Sequence, residues 1–349
     1  MKLEVSIKKS MKGFALDVQF QCTEECLGIL GASGCGKSMT LKCIAGVERP
    51  DEGHIELDGK VLFDSRKGIN LPPQKRGIGY LFQNYALFPT MTVAENIGAA
   101  VKKRVDRENK VKEQVRRFQL EGLEGRYPHQ LSGGQQQRAA FARMMAAGPK
   151  SILMDEPFSA LDGYMKDVLQ REVKEHLAAF EGISVLVSHS RDEIYNLSAD
   201  LLIMDDGRTV GRGKTKELFQ NPGTRTAARL TGLKNFSEVE KINDHKVYAK
   251  DWHLTLQTKE YVDEDVKYAG VRGHHMVSVY EDKPENVLPV EVTGYTELPF
   301  ETQYFVRNAR HRESTPIWWM VPREDFTAVN LQGIPPYLYF PPEEVMLLK

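Results

Sequence analysis

No stretch of this 349-residue chain approaches the roughly 18–20 consecutive apolar residues that span a bilayer. The runs LGIL and LLIM are only strand-length, so any membrane role must come through a partner. Net charge is nearly absent, at −1, and no global positive field recruits nucleic acid or anionic lipid. No charged-then-apolar leader opens the chain, and a secreted product is not expected. Cysteine is scarce: Cys22, Cys26, Cys35 and Cys43 all lie near the start and do not form two C-x-x-C pairs. A zinc site is therefore not expected; the thiols read as small buried or loop groups in a reducing compartment. Neither half carries an internal repeat or a low-complexity tract.

The length suffices for two domains, each with its own core. From Met1 to about Thr231, short apolar runs alternate with longer amphipathic ones. ECLGIL, GIGYLF, SILMD, SVLVSH and LLIMDD predict buried strands of a largely parallel sheet, with crossover helices giving an α/β layer. LEVSIKK, ALDVQFQC and HIELDGKVLF alternate in polarity and predict a half-exposed antiparallel arm. Val101–Leu120 is highly charged, with Val111, Val115 and Phe118 at helical spacing, which predicts a solvated helix with one packed stripe. After Phe236 the texture becomes short strands broken by Gly, Pro and Asn. The expectation is a domain at 1–235 and an all-β, barrel-like domain at 236–349.

GASGCGKS, at Gly31–Ser38, is a phosphate-binding loop of the G-x-x-x-x-G-K-[ST] type, preceded by an apolar run and followed by the helix-prone Met39–Ile44. The candidate phosphate-binding group is Gly31, Ala32, Ser33, Gly34, Cys35, Gly36, Lys37 and Ser38, with Met39 at the start of the helix. Glycines let backbone N–H groups turn toward phosphate oxygens, and a helix N-terminus adds partial positive charge. Lys37 would neutralise the outer phosphates, and the Ser38 hydroxyl would ligate Mg²⁺. In SILMDEP, Asp155 ends a buried strand, where a carboxylate can hold Mg²⁺, and Glu156 follows directly. An ordinary strand-end acidic pair is the plainer alternative. Ser132, Gly133 and Gly134 open a helix whose free N–H groups suit a phosphate, although Ser132 alone would also serve as a common N-cap.

With LSGGQQQR at Leu131–Arg138 between loop and acidic pair, the chain resembles the ATP-binding cassette family, specifically importer ATPase subunits. The resemblance covers essentially the whole first domain. It implies a phosphate-loop cassette with an antiparallel β arm and a helical subdomain, acting on ATP and Mg²⁺ as a homodimer. It assigns Glu156 to polarising the attacking water and His189, at the end of SVLVSH, to the γ-phosphate. Gln83 matches a loop residue that senses Mg²⁺ and the attacking water and touches the membrane subunit. Ser132, Gly133, Gly134 and Gln135 would serve the nucleotide on the opposite subunit, and Ser159–Asp162 matches the loop linking the two sites. Phe14 matches the adenine-stacking position, with Phe20 nearby and a core phenylalanine as the alternative. Importer cassettes usually follow the histidine with Asp, and here Ser190 stands instead.

Leu71–Ile97 and Ala227–Ser237 look most like molybdate and related oxyanion importers. The resemblance therefore implies integral-membrane permease partners, an extracellular solute-binding protein and a place at the cytoplasmic face of the membrane. Molybdate or tungstate is the expected solute, with sulfate, ferric ion, polyamine or sugar as alternatives. A soluble cassette ATPase acting on nucleic acid or ribosomes would carry paired cassettes or a coiled-coil insert, neither of which is present, and no nucleic-acid partner is expected. An inert nucleotide sensor would not need Lys37, Asp155, Glu156 and His189 together. The tail resembles accessory barrels of importer ATPases, and Glu285–Val292 is at best a faint match to an oxyanion-binding signature.

Overall fold

A computed structural model describes all residues except 24, 102–103, 160, 162, 282–284 and 323–333. The chain divides into two compact units, Met1–Glu217 and Leu218–Lys349. This division falls upstream of the boundary expected at 235/236. The reason lies in the segment Arg225–Leu230: Ala228 packs with Leu233 and Leu348, and Arg225 N–H donates to Lys349 O (3.2 Å).

The first unit opens with β1 (Lys2–Met11), β2 (Phe14–Thr23) and β3 (Cys26–Gly31), then α1 (Lys37–Ala45). Next come β4 (Glu52–Leu57), β5 (Lys60–Asp64), β6 (Ile69–Asn70), the single turn α2 (Pro73–Arg76) and β7 (Ile78–Leu81). A helical region follows, α3 (Val93–Ala99), α4 (Arg107–Arg117) and α5 (Gly133–Ala146). Alternation resumes with β8 (Ser151–Asp155), α6 (Gly163–Ala178), β9 (Ile183–Ser188), α7 (Arg191–Leu197), β10 (Asp200–Asp205) and β11 (Arg208–Lys214), and α8 (Thr215–Gln220) crosses the division.

All eleven strands form one sheet, ordered β6-β5-β4-β1-β2-β11-β10-β3-β9-β8-β7. The run β10, β3, β9, β8, β7 is parallel throughout. Its β8 and β9 are buried along their whole length, as unbroken apolar segments demand when both faces are covered. The arm β1, β2, β4, β5 is antiparallel and buries alternate residues, such as Leu3, Val5 and Ile7 on β1. The expected long helix over Val101–Leu120 is shorter: α4 starts at Arg107, Phe118 caps it, and Val115 and Phe118 are buried.

In the second unit α9 (Arg225–Leu230) precedes β12 (Asn235–Asn243), β13 (Lys246–Ala249), β14 (Leu254–Gln257), β15 (Tyr268–Val271) and β16 (Val277–Val279). β17 (Val287–Glu297), β18 (Glu301–Asn308), β19 (Ile317–Pro322), β20 (Tyr337–Tyr339) and β21 (Met346–Leu348) complete it. Among the described residues they form two five-stranded sheets, β14-β13-β12-β15-β21 and β16-β20-β17-β18-β19, over a shared core that includes Trp252, Trp319 and Phe340.

Arg76 closes the far end of α1. The residue is 1% exposed, and its guanidinium donates to Leu71 O (2.8 Å), Cys43 O (2.9 Å), Ile44 O (2.8 Å) and Asn70 Oδ1 (2.8 Å). Burial lowers its pKa, yet the α1 carbonyls offer the negative end of a helix dipole. The fit requires glycine at position 46 (φ 80°), because a Cβ there would lie 2.4 Å from Arg76 Nε. Arg76→Met should therefore cost about 3 kcal/mol through orphaned carbonyls and lost charged hydrogen bonds. Hydrogen exchange of the α1 amides should report it, and unchanged protection would show that the helix end holds without the arginine.

Candidate functional site

Parallel pairing sets β3, β9, β8 and β7 ending at one level. Leu30 pairs with Ser188, Val187 with Asp155, and Met154 with Leu81. One or two residues further along each chain lie Gly31, His189, Glu156 and Gln83. The sequence thus delivers four separate segments to the carboxyl edge of the sheet, where α/β folds bind ligands.

The loop after β3 turns through Gly34 (φ 82°) and Gly36 (φ 100°), conformations that favour glycine. Ala32, Ser33 and Gly34 are exposed, while Cys35 and Lys37 are buried and Met39 packs against the core. The Lys37 ammonium donates to Gly31 O (2.8 Å) and Ala32 O (2.9 Å), so it already lies within its own loop. Helix α1 starts at Gly36 with no side-chain cap and no acidic residue in its first turn. Its first N–H groups thus remain available to an anion.

Burial raises the thiols of Cys22 and Cys43 to about 11 and that of Cys26 to about 12. It raises Cys35 as well, despite Lys37 nearby, so these groups remain thiols with little tendency to react.

Asp155, at the end of β8, sits between two hydroxyls. Ser38 Oγ donates to its Oδ1 (2.7 Å) and Tyr80 Oη to its Oδ2 (2.9 Å). The serine and the carboxylate are thereby paired as adjacent hard oxygen donors, the set that Mg²⁺ takes. Burial and the Asp155 charge both push the Tyr80 phenol well above its ordinary value, so it stays a donor. Glu156 lies in the left-handed region (φ 47°), a strain of order 1–3 kcal/mol that clusters at functional sites. Its N–H donates to Val187 O (2.9 Å), and its carbonyl accepts from Ser159 Oγ (3.0 Å). The carboxylate meets His189 Nδ1 at 3.1 Å, with the Glu156 side chain 17% and that of His189 56% exposed. These two groups therefore act as one pair at the open edge. Ser190, in place of the usual Asp, caps α7 by accepting from Glu193 N–H (3.5 Å). The N-cap role is thus retained by a serine.

Phe14 and Phe20 are separated by burial. Phe20 is 2% exposed in the core and offers no free face. Phe14 is partly exposed, and its Cζ lies 2.9 Å from where a Cβ at Gly36 would stand, so its ring flanks the phosphate loop. Ser132 heads α5 in a capping box: Gln135 N–H donates to Ser132 Oγ (3.3 Å), and Gln135 Oε1 accepts from Ser132 N–H (3.0 Å). The Gln135 side chain is thus engaged within its own helix end. Gly134 admits close approach of α6, since a Cβ there would lie 2.7 Å from Met165 Cε. Gln83 is exposed on the turn after β7, and among the described residues no hydrogen bond joins it to Ser38 or Asp155. Of the Ser159–Asp162 loop, Ala160 and Asp162 lie outside the described residues.

Two further residues escaped the sequence reading. Tyr80 could have been found only from the β7–β8 register, which sets it beside Leu153 and within reach of Asp155. Arg143, on α5, donates to Tyr85 O (2.9 Å) and Ala86 O (2.7 Å), two residues with positive φ just beyond Gln83. It ties the helix that Ser132 opens to the Gln83 turn, and nothing in the local sequence signals that contact.

The geometry is that of a phosphate-loop nucleotide-binding cassette: an uncapped helix N-terminus, a serine–aspartate oxygen pair and a carboxylate–histidine pair on one sheet edge. The ABC transporter family model matches residues 16–159. The molybdate/tungstate import ATP-binding protein WtpC of Archaeoglobus fulgidus is 36% identical over 246 residues, 70% of this chain and 100% of the relative. The chain belongs to the ABC transporter family. The molybdenum import ATP-binding protein ModC of Paramagnetospirillum magneticum is 38% identical over 232 residues, 66% of this chain. The spermidine/putrescine import ATP-binding protein PotA of Nitrosomonas europaea is 39% identical over 291 residues, 79% of this chain and 74% of the relative. Of some relatives the chain spans less than two thirds, 63% for the Paramagnetospirillum protein. Among solved structures, a dimeric ATP-binding cassette in a post-hydrolysis state bound to ADP and Pi matches with 27% identity and a TM-score of 0.52, over 62% of this chain and 99% of that one.

Tyr80→Phe should weaken the apparent Mg²⁺ dependence of nucleotide binding about 10-fold, as loss of a group orienting a metal-binding carboxylate does. A shift of less than twofold in the Mg²⁺ titration would reduce Tyr80 to a packing residue.

Proposed function

We propose that this chain is the ATP-hydrolysing subunit of a membrane importer, working as a homodimer on integral permease subunits at the cytoplasmic face of the membrane. The observation that carries the reading is the constellation Ser38–Asp155 and Glu156–His189 beside the uncapped start of α1. Lys37, released from Gly31 O and Ala32 O, would hold the terminal phosphates of ATP. Mg²⁺ held by Ser38 and Asp155 would neutralise phosphate charge. Glu156 would take the proton of the attacking water, and His189, hydrogen-bonded to it, would orient the carboxylate and face the transferred phosphoryl group. Phe14 would stack on the adenine. Ser132, Gly133 and Gly134 would complete the site on the partner subunit, and Gln83, on a turn held by Arg143, would report nucleotide state to the permease. The second unit, beginning near Leu218, would be an accessory domain.

Glu156→Gln should keep Mg-ATP binding while turnover falls about 10²–10⁴-fold, the usual worth of a general base. The ATP-bound dimer should then become visible by size-exclusion chromatography. Near wild-type hydrolysis would move the base elsewhere, with His189 the next suspect.

For the solute we propose a tetrahedral oxyanion, molybdate or tungstate, supported by the names of the Archaeoglobus and Paramagnetospirillum relatives. Spermidine/putrescine import is the alternative carried by the Nitrosomonas relative. Selectivity would reside in the binding protein and the permease, because the solute never enters the nucleotide site. Reconstituted with both partners, the subunit should hydrolyse ATP faster when molybdate is loaded. Stimulation by spermidine and not by molybdate would overturn the solute while leaving the ATPase reading intact.

A further inference from the structure

Within the second unit, two segments distant in sequence bring two imidazoles and a carboxylate together. His253 ends the short turn Lys250–Trp252 in a left-handed conformation (φ 47°, ψ 51°). His311 and Glu313 lie on the loop between β18 and β19. One buried amide locks the segments to each other: Asn308, 3% exposed, donates through Nδ2 to Trp252 O (3.1 Å) and His253 O (3.1 Å). The loop is fixed further by Asn308 N–H donating to Ser314 Oγ (3.0 Å) and by Thr315 N–H donating to Asp251 O (2.8 Å).

We propose that His253, His311 and Glu313 bind a divalent transition-metal ion of the zinc class. Their candidate ligand atoms all lie within 4.8 Å of one another. His253 Nε2 stands 3.5 Å and His311 Nδ1 3.3 Å from the same oxygen, Glu313 Oε1. Two ligands about 2.1 Å from one zinc ion at a tetrahedral angle are about 3.4 Å apart, close to both of these separations. Two imidazoles and one carboxylate, with a fourth position open to water, is an established zinc donor set. The two rings stack nearly parallel, with centroids 4.6 Å apart, and a turn of the exposed His311 ring would bring its nitrogen toward the ion.

Supporting groups are present. Tyr248 Oη pairs with His253 Nδ1 (3.1 Å), fixing the ring and leaving Nε2 toward the site, as groups behind metal-bound imidazoles do. The nearby cations are drawn off: Arg307 forms two hydrogen bonds to Glu291, and Arg312 Nε lies 3.5 Å from it. The ligand side chains are 31%, 47% and 65% exposed for His253, His311 and Glu313, so an ion has an entry path. The cysteines that spoke against zinc in the sequence lie in the other unit and take no part.

The test is calorimetric titration of the full chain with ZnCl₂, free of nucleotide and Mg²⁺. The wild type should bind zinc, and His253→Ala, His311→Ala and the conservative surface change Glu313→Gln should each weaken one site at least about 10-fold. Tyr248→Phe, which removes no ligand, should weaken the same site about 10-fold. His245→Ala, a histidine outside the cluster, should change nothing, and the tryptophan emission without metal verifies that each variant is folded. No zinc binding by the wild type, or unchanged affinity and stoichiometry in a His253→Ala/His311→Ala double variant, would overturn the site and leave a simple histidine–glutamate hydrogen-bond cluster.

Discussion

Parallel pairing of β3 with β9, β9 with β8 and β8 with β7 constrains everything else in the first unit, because it forces their carboxyl ends to a common edge. The phosphate loop, the acidic pair, the histidine and the glutamine turn each follow one of these strands. No single segment could assemble them. A one-residue slip of β8 against β9 would swap the faces of Asp155 and Glu156 and separate Asp155 from Ser38. Continuous apolar runs buried on both faces do not by themselves set register; the covering helices and the strand-end hydrogen bond from Glu156 N–H to Val187 O help to hold it.

On that edge, polar groups are pre-arranged in pairs. Lys37 is satisfied by its own loop carbonyls, Asp155 by two hydroxyls, and Glu156 by His189. Each pair keeps a charged group oriented at the open edge of the sheet. Glu156, Tyr85 and Ala86 all hold positive φ without being glycine. Arg143 stabilises the last two from α5, so the helix opened by Ser132 and the Gln83 turn are joined by direct hydrogen bonds.

The second unit follows different physics. Its two five-stranded sheets enclose an aromatic core and hold none of the nucleotide motifs. The family match ends at residue 159, well before it begins. Buried Asn308 and the histidine cluster it supports lie in this unit.

Much of the first unit was legible because its signals are local. Glycine spacing in Gly31–Ser38, the buried strand before Asp155 and the run Leu131–Arg138 each demand a backbone form that neighbouring residues alone specify. The same holds for the alternating arm and for the shift to short strands in the tail. The compact units divide at 217/218 rather than 235/236, because Ala228 and Arg225 find their partners at Leu348 and Lys349, at the other end of the tail. Tyr80 on Asp155, Arg143 on the Gln83 turn, and the meeting of His253 with His311 and Glu313 were likewise invisible. Sequence determines which residues can form a strand, cap a helix or turn through positive φ, since those are properties of adjacent atoms. Which distant side chains meet depends on strand register and close packing between segments, and only the folded chain decides that.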